Sequence, residues 1–120
     1  MKYFTPDEFA CKCGECGLGF EQMDKKLIGL LDDIRQLAGI PFVITSAIRC
    51  EKHNKAVGGA SRSSHLRGYA VDIKATTGAD RFKIVYAAMR NGIGRVGVKH
   101  SFLHIDTDPE LPQQVLWLYV

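Results

Sequence analysis

The spacing of apolar residues along the chain predicts a mixture of helices and strands. Over residues 23–38, leucine and isoleucine recur at intervals of three and four, which places them on one face of a helix. Over residues 69–74 and 102–106, apolar and polar residues alternate, which is typical of strands that bury one face. The predicted elements are a short helix from Thr5, a helix over 23–38, a strand over 42–46, one or two helical turns over 51–57, a polar loop over 60–68, a strand over 69–74, a helix over 79–91, and strands over 93–98, 102–106 and 115–120.

Glycine and proline mark the ends of the two long helices. Gly39 closes the first of them and Pro41 prevents its continuation, while Gly92 follows the second. The apolar stripes define the helix faces that we expect to be buried. These stripes comprise Leu27, Leu30, Leu31, Ile34 and Leu37 in the first helix, and Phe82, Val85, Tyr86 and Met89 in the second.

The order of the elements indicates the fold class. Helices and strands follow one another without the regular strand–helix–strand alternation of parallel α/β folds. We therefore predict an α+β fold, with a small, mostly antiparallel sheet and helices packed on one of its sides. A chain of 120 residues has the length of one domain, so residues 1–120 are expected to share one core.

Composition and charge exclude several classes of protein. Hydrophobic residues make up 46% of the chain, which excludes disorder, and no apolar run approaches the ~20 residues of a membrane span. The net charge of +3 comes from scattered basic residues without interleaved aromatics, so neither nucleic acid nor a membrane is an expected partner. The N-terminus has no apolar signal core, so we expect synthesis in the cytoplasm without a signal peptide.

The four cysteines leave three chemical states open. Cys11, Cys13 and Cys16 lie within six residues, whereas Cys50 is distant in sequence. A four-thiolate zinc site requires Cys50 to fold back onto the cluster, and a C-x-C pair is tighter than the usual C-x2-C spacing. A disulfide is not expected without an export signal. Reduced thiols in a turn-rich N-terminal segment are the third state.

Two of the alternating strands carry polar residues that can meet on one face of the sheet. The aliphatic residues point to the core, so Asp72 and His104 face the opposite side and meet if their strands are neighbours. His65 lies in the loop that leads to the strand of Asp72, and Gly68 permits the bend that returns His65 over the sheet. Two imidazoles and one carboxylate, with a fourth position left open, form the ligand set of a catalytic zinc site. We therefore predict that His65, Asp72 and His104 bind one Zn²⁺ ion.

The sequence around these ligands resembles a known family of zinc enzymes. Residues 63–72 contain S-x-H-x-x-G-x-A-x-D, which is similar to the signature of the M15 zinc peptidases, the D-alanyl-D-alanine carboxypeptidase group. Residues 44–49 resemble the family's strand-plus-arginine segment, and residues 102–107 resemble the closing H-x-D strand of a phage-like subgroup. The family includes bacterial wall carboxypeptidases and phage endolysins, and the hedgehog signalling domains share its fold. The resemblance extends from Phe4 to Trp117.

The resemblance implies roles for particular residues. The family's metal ligands correspond to His65, Asp72 and His104, and its zinc ion polarises the scissile carbonyl and lowers the pKa of water. Arg49 corresponds to the family's site arginine, which stabilises an oxyanion or a substrate carboxylate, or else forms a structural ion pair. Ser63 is expected either to donate a hydrogen bond to the substrate or to fix the loop.

The general base is the part of the site where the sequence departs from the family. Many members carry E-x-x-H or H-x-H before the last ligand, but Ser101 and Phe102 occupy those positions and neither accepts a proton at neutral pH. Asp106 lies on the same strand face as His104, so it either holds the attacking water or orients the histidine. His100, in a glycine-rich loop, is either a second candidate base or an exposed loop residue.

The ligand set predicts a metal-dependent hydrolase, and the M15 resemblance implies a zinc peptidase that hydrolyses peptidoglycan stem peptides. It would act at the cell wall, in association with a phage or prophage, as a D-Ala-D-Ala carboxypeptidase or an endolysin-type endopeptidase. We expect a monomer. The alternative is a non-catalytic, zinc-stabilised module that binds cell-wall peptides or a protein partner, and the missing base before His104 favours it.

Overall fold

The computed structural model of the protein describes residues 1–119. Its elements are α1 (Lys25–Ala38), β1 (Ile44–Ser46), α2 (Glu51–Ala56), β2 (Ala70–Lys74), α3 (Gly78–Arg90), β3 (Arg95–Val98), β4 (Phe102–Asp106) and β5 (Val115–Leu118), with short 3-10 helices at Pro6–Phe9, Phe20–Gln22 and Ser64–Arg67. Residue 120, the end of the last predicted strand, lies outside the described residues. Within residues 1–119, every helix is too short or too polar to span a membrane.

The five strands form one sheet in the order β1-β2-β4-β3-β5. Neighbouring strands are antiparallel, except that β3 and β5 are parallel. In the β2–β4 pair Asp72 lies directly opposite His104, and in the β3–β4 pair Gly97 lies opposite His104. The predicted α+β fold with a small, mostly antiparallel sheet is therefore confirmed, and so is the predicted contact between the two polar strands.

The hydrophobic core lies between the sheet and the helices α1 and α3, which also pack against each other. The inner faces of β2 and β4 supply fully buried aliphatic side chains, as the alternation of these strands predicted. These side chains are Val71, Ile73, Leu103 and Ile105. Because they occupy the core face, the intervening polar residues of both strands lie on the other face of the sheet.

The predicted buried face of α3 is wrong. The exposed members of the predicted stripe are Phe82, Tyr86 and Met89, and Val85 is only half-buried. The residues that α3 buries are Ile84, Ala87 and Ala88. Two alanines allow α3 to approach α1 and the sheet closely, so the helix directs its small side chains inward and its large ones outward. In α1, similarly, Leu37 is exposed and Ala38 is buried.

A 3-10 helix, Ser64–Arg67, lies within the segment predicted as a polar loop. Gly68 ends it with a φ of +78°, in the left-handed region that favours glycine. The space around Gly68 also requires glycine, because a Cβ atom there would lie 1.9 Å from the carbonyl oxygen of Gln22. The carbonyl of Gly68 in turn accepts a 2.8 Å hydrogen bond from the N–H of Asp24, the N-cap of α1. This contact joins the His65 segment to the first long helix.

Candidate metal centre

Two strands and the short 3-10 helix bring the three predicted metal ligands together. Asp72 and His104 are register partners on β2 and β4, and His65 reaches them from the 3-10 helix that precedes β2. All three residues are buried, with exposed fractions between 2% and 6%. The structure thus brings together residues that are separated by up to 39 positions in the sequence (65 to 104).

The hydrogen-bond partners of the two imidazoles define which nitrogens are free. Nδ1–H of His65 donates to the carbonyl of Ala47 at 2.7 Å, which leaves Nε2 unprotonated and 3.2 Å from Oδ1 of Asp72. Nε2–H of His104 donates to Oδ2 of Asp106 at 2.7 Å, which leaves Nδ1 at 3.0 Å from the same Asp72 oxygen. Two nitrogen lone pairs and a carboxylate oxygen therefore converge. Such an arrangement requires a shared cation, either a metal ion or a proton.

The spacing of these donor atoms fits a tetrahedral zinc ion. Ligand atoms bound to zinc at about 2.0–2.1 Å lie about 3.3 Å from one another. The two nitrogen-to-oxygen distances of 3.2 Å and 3.0 Å are close to this value. All three ligand atoms lie within 4.8 Å of one another. Nitrogen and carboxylate donors suit zinc, so the residues present fit the predicted ion and leave one coordination position for a non-protein ligand.

The pKa values of two ligands reflect the same cluster. Burial raises the pKa of Asp72, but the adjacent imidazoles of His104 and His65 outweigh burial and hold the pKa of this carboxyl well below its usual range. Burial lowers the pKa of His104, but the neighbouring carboxylates of Asp106 and Asp72 outweigh burial and raise it. The cluster therefore combines a stable carboxylate with an imidazole that is held in a negative environment, which favours a bound cation.

Both carboxylate oxygens of Asp106 are engaged. Oδ2 accepts the hydrogen bond from His104, while Oδ1 accepts from Nε of Arg95 at 2.7 Å and from the backbone N–H of Asp108 at 3.1 Å. Asp106 is 1% exposed, and its carboxylate fixes the imidazole of His104 so that Nδ1 points towards Asp72. Of the two roles predicted for Asp106, this geometry favours the orienting one.

Arg49 lies on the outer side of Asp72. Its Nε donates to the hydroxyl of Ser46 at 2.9 Å, and one terminal nitrogen donates to the side-chain oxygen of Asn54 at 3.1 Å. The other terminal nitrogen is 3.4 Å from Oδ2 of Asp72, the oxygen that does not face the imidazoles. Arg49 thus forms an ion pair with a predicted metal ligand, Asp72, and also lines the groove above it.

An open groove of about 530 Å³ runs over the cluster. The indole of Trp117 forms part of its wall, with a ring centroid 5.4 Å from that of His104. Gly97 makes room for this indole, since a Cβ atom there would lie 2.6 Å from it.

Ser63 also lines the groove, and its Oγ accepts a 3.2 Å hydrogen bond from the N–H of His65, so it fixes the loop. The basic residues that line the groove are Arg49, Arg62, Arg95 and Lys99.

Comparison of the sequence with known protein families identifies the family of this chain. A sequence model of the peptidase M15 family matches residues 2–106. The chain belongs to the peptidase M15 family. The matched residues include all three predicted ligands, and family membership implies peptidase activity. Among curated proteins, none matches the chain at a significant level.

In this M15 family member, the residues before the last ligand do not supply an acid or a base. Ser101 and Phe102 occupy the positions that many members give to a base. His100 is exposed, its carbonyl accepts a 2.6 Å hydrogen bond from Arg81, and it is not one of the residues that line the groove. The structure therefore brings Arg49, Ser63 and Asp106 close to the three predicted metal ligands but leaves His100 outside.

The M15 signature segment is held in place by Asp108, whose role was not apparent from the sequence. Asp108 is fully buried and accepts hydrogen bonds from the hydroxyl of Ser64 at 2.7 Å and from the N–H of Glu110 at 3.1 Å. Its carboxylate also forms a close ion pair with Arg67. Because Ser64 and Arg67 flank His65 in the 3-10 helix, Asp108 ties that helix to the chain that leaves β4.

We expect Asp108→Asn to destabilise the protein by roughly 1–3 kcal/mol at neutral pH. Burial raises the pKa of Asp108, but Ser64, the Glu110 N–H and Arg67 outweigh burial and lower it. A lowered pKa stabilises the fold fully above the unfolded-state value of about 3.9, and this stabilisation is lost as pH falls through the folded-state value. The difference in unfolding free energy between wild type and variant should therefore shrink below pH ~4, as measured by urea unfolding. Asp33→Asn, at an exposed position of α1, is the control, and a pH-independent difference for Asp108→Asn would contradict the prediction.

Proposed function

We propose that the protein is a zinc-dependent peptidase that hydrolyses the stem peptides of peptidoglycan. The observation that carries this proposal is the convergence of two unprotonated imidazole nitrogens and one carboxylate oxygen beneath an open groove. A zinc ion held there supplies Lewis-acid activation of the scissile carbonyl and of water. The remaining work of binding and orienting the substrate falls to the residues that line the groove.

The charge of the groove supports a substrate that carries carboxylates. Of its basic residues, Arg95 is compensated by Asp106, and Arg49 is paired with Asp72. Arg62 and Lys99 form no ion pair with any residue in the part of the chain that the structure describes, residues 1–119. Stem peptides contain several carboxylates, including a terminal one, so these two cations are suited to bind them.

Arg49 and Tyr119 both line the groove above the predicted metal ligands. The guanidinium of Arg49 lies 3.4 Å from Asp72 and lines the groove. It is therefore close enough to the predicted metal site to stabilise negative charge that develops on a substrate carbonyl oxygen. Burial raises the pKa of the Tyr119 phenol, so this hydroxyl stays protonated at neutral pH and can donate a hydrogen bond to substrate.

A second candidate function is a zinc-stabilised module that binds wall peptides without cleaving them. The specific observation in its favour is that Asp106 uses both oxygens to hold His104 and Arg95, while Ser101 and Phe102 replace the usual base. A peptidase of this kind would need water to be deprotonated without a dedicated carboxylate or imidazole next to His104.

Incubation of the zinc-loaded protein with purified muropeptides distinguishes the two functions. Mass spectrometry should detect released D-alanine if the protein is a carboxypeptidase, or split stem peptides if it is an endopeptidase. The chelated protein is the control and should release neither product. Intact muropeptides after prolonged incubation, together with bound zinc and measurable muropeptide binding, would contradict the peptidase proposal and support the binding module.

Asp106→Asn tests whether this carboxylate orients His104. An asparagine cannot accept hydrogen bonds from both His104 and Arg95 as the carboxylate does, so we expect zinc affinity to fall by roughly 10–100-fold. Competition with a chromophoric chelator measures that affinity, and Asp33→Asn is the control. If Asp106 were instead the general base, the variant would lose turnover while zinc affinity stayed unchanged.

A further inference from the structure

The four cysteines, which the proposed peptidase mechanism does not use, converge at one place in the fold. Three of them lie in the N-terminal loop, and Cys50 lies at the N-cap of α2. The four sulfur atoms all lie within 4.8 Å of one another. Cys50 therefore folds back onto the N-terminal cluster, which was the condition for a four-thiolate site.

The distance between two of the sulfurs fits a metal ion better than a disulfide. Zinc binds thiolates at about 2.3 Å, so two thiolates of a tetrahedral site lie about 3.8 Å apart. The Sγ atoms of Cys11 and Cys50 are 3.9 Å apart. A disulfide brings its two sulfurs to about 2.05 Å, which would require this pair to approach much more closely.

Backbone N–H groups point at every one of the four sulfurs. Cys13 accepts from two of them, at 3.3 Å and 3.4 Å, and the other three sulfurs each accept one at 3.4 Å. Hydrogen bonds of this kind stabilise thiolates, which are the form of cysteine that binds metals. The donors are the N–H groups of Glu15, Cys16, Leu18, Cys50 and His53.

The loop has the backbone shape that such ligation requires. Cys13 and Cys16 form a C-x2-C pair, and Gly14 and Gly17 have φ values of +73° and +78° that let the chain turn around the sulfurs. Four thiolates held this close repel one another unless a cation lies between them. A ligand set of four protein thiolates leaves no open position, which is characteristic of a structural zinc site and not of a catalytic one.

We propose that Cys11, Cys13, Cys16 and Cys50 bind a second, structural zinc ion. This ion fastens the N-terminal loop to the start of α2. Cys50 directly follows Arg49, whose guanidinium contacts Asp72, and Leu18 lies beside both in the wall of an adjoining cavity of about 780 Å³. The thiolate site therefore supports the segment that carries Arg49, and it does not depend on the function proposed for the groove.

Metal analysis of cysteine and histidine variants tests this proposal. We expect about two zinc ions per chain in the wild type and about one in both Cys13→Ser/Cys16→Ser and His65→Ala. The control, Lys12→Ser/Glu15→Ser, changes two exposed residues of the same loop and should keep about two ions. In His65→Ala the remaining ion should lie in the four-cysteine site, whether or not the protein is a peptidase. The result can therefore refute the structural zinc site without refuting the proposed peptidase, and the muropeptide experiment can do the reverse.

Cobalt substitution of the wild type gives a second readout that does not depend on the folding of a variant. Cobalt in the thiolate site should give a sulfur-to-cobalt charge-transfer band and the intense visible bands of a tetrahedral site. Native zinc-loaded protein should also resist thiol reagents until a chelator is added. A cobalt protein without the charge-transfer band, thiols that all react at once, or a disulfide among the four cysteines would each overturn the proposal.

Discussion

His65→Ala is expected to lower kcat/KM for stem-peptide hydrolysis by at least about a thousandfold. The variant loses one of the three predicted protein ligands, since Nε2 of His65 lies 3.2 Å from the Asp72 oxygen that the imidazole of His104 also faces. A metal ion contributes several kcal/mol to the stabilisation of transition-state charge, which corresponds to a rate effect of this size. Steady-state kinetics on a muropeptide substrate measures the effect.

The matched control for this prediction is His53→Ala. His53 is a half-buried histidine of α2, and its side chain belongs neither to the cluster of four cysteines nor to the cluster of His65, Asp72 and His104. The control should retain near wild-type kcat/KM and both metal ions. Thermal unfolding of both variants checks that a loss of activity does not reflect loss of the fold. Hydrolysis retained by a folded His65→Ala protein would show that the reaction does not use this site.

Gly68→Ala should reduce the free energy of unfolding by roughly 2–5 kcal/mol, a large part of the ~5–15 kcal/mol typical of a domain. Alanine costs about 1–2 kcal/mol in the left-handed region. Its Cβ would also lie 1.9 Å from the Gln22 carbonyl oxygen, so the 3-10 helix and the chain before α1 must separate. The separation strains the hydrogen bond from Asp24 to Gly68 and displaces His65. Urea unfolding measures the loss, and zinc affinity should fall with it.

Gly39→Ala isolates the steric part of this effect. Gly39 has a φ of +72°, close to the +78° of Gly68, but a Cβ atom there would have no neighbour within 4 Å. This control should therefore lose only the backbone strain of about 1–2 kcal/mol. Equal losses for the two variants would mean that the contact between residues 22 and 68 does not constrain the fold.

The convergence of Asp72 and His104 could be predicted from the sequence because strand periodicity determines which side chains share a face. Val71 and Ile73 fix the phase of β2, as Leu103 and Ile105 fix that of β4, so Asp72 and His104 had to point away from the core. The pairing of these strands was an assumption, and the register that places Asp72 opposite His104 confirms it. The M15 resemblance pointed to the same residues from the motif alone.

Other features depend on contacts that a linear pattern does not contain. The face of α3 was mispredicted because Ala87 and Ala88 are buried by close helix packing, whereas hydrophobic size alone favoured Phe82. Arg95 is a charged residue buried in a strand, and only the neighbouring strand reveals that Asp106 compensates it. The role of Asp108 likewise requires the fold, since its partners Ser64 and Arg67 precede it by more than forty residues.

Anomalous diffraction at the zinc absorption edge, from crystals grown with zinc, tests whether His65, Asp72 and His104 bind zinc. We expect a peak bound by Nε2 of His65, Nδ1 of His104 and a carboxylate oxygen of Asp72, at about 2.0–2.2 Å from each. Nε2 of His104 should remain hydrogen-bonded to Asp106. A zinc-loaded crystal with no peak between these three side chains, or with zinc on Nε2 of His104, would show that they do not form the predicted zinc site.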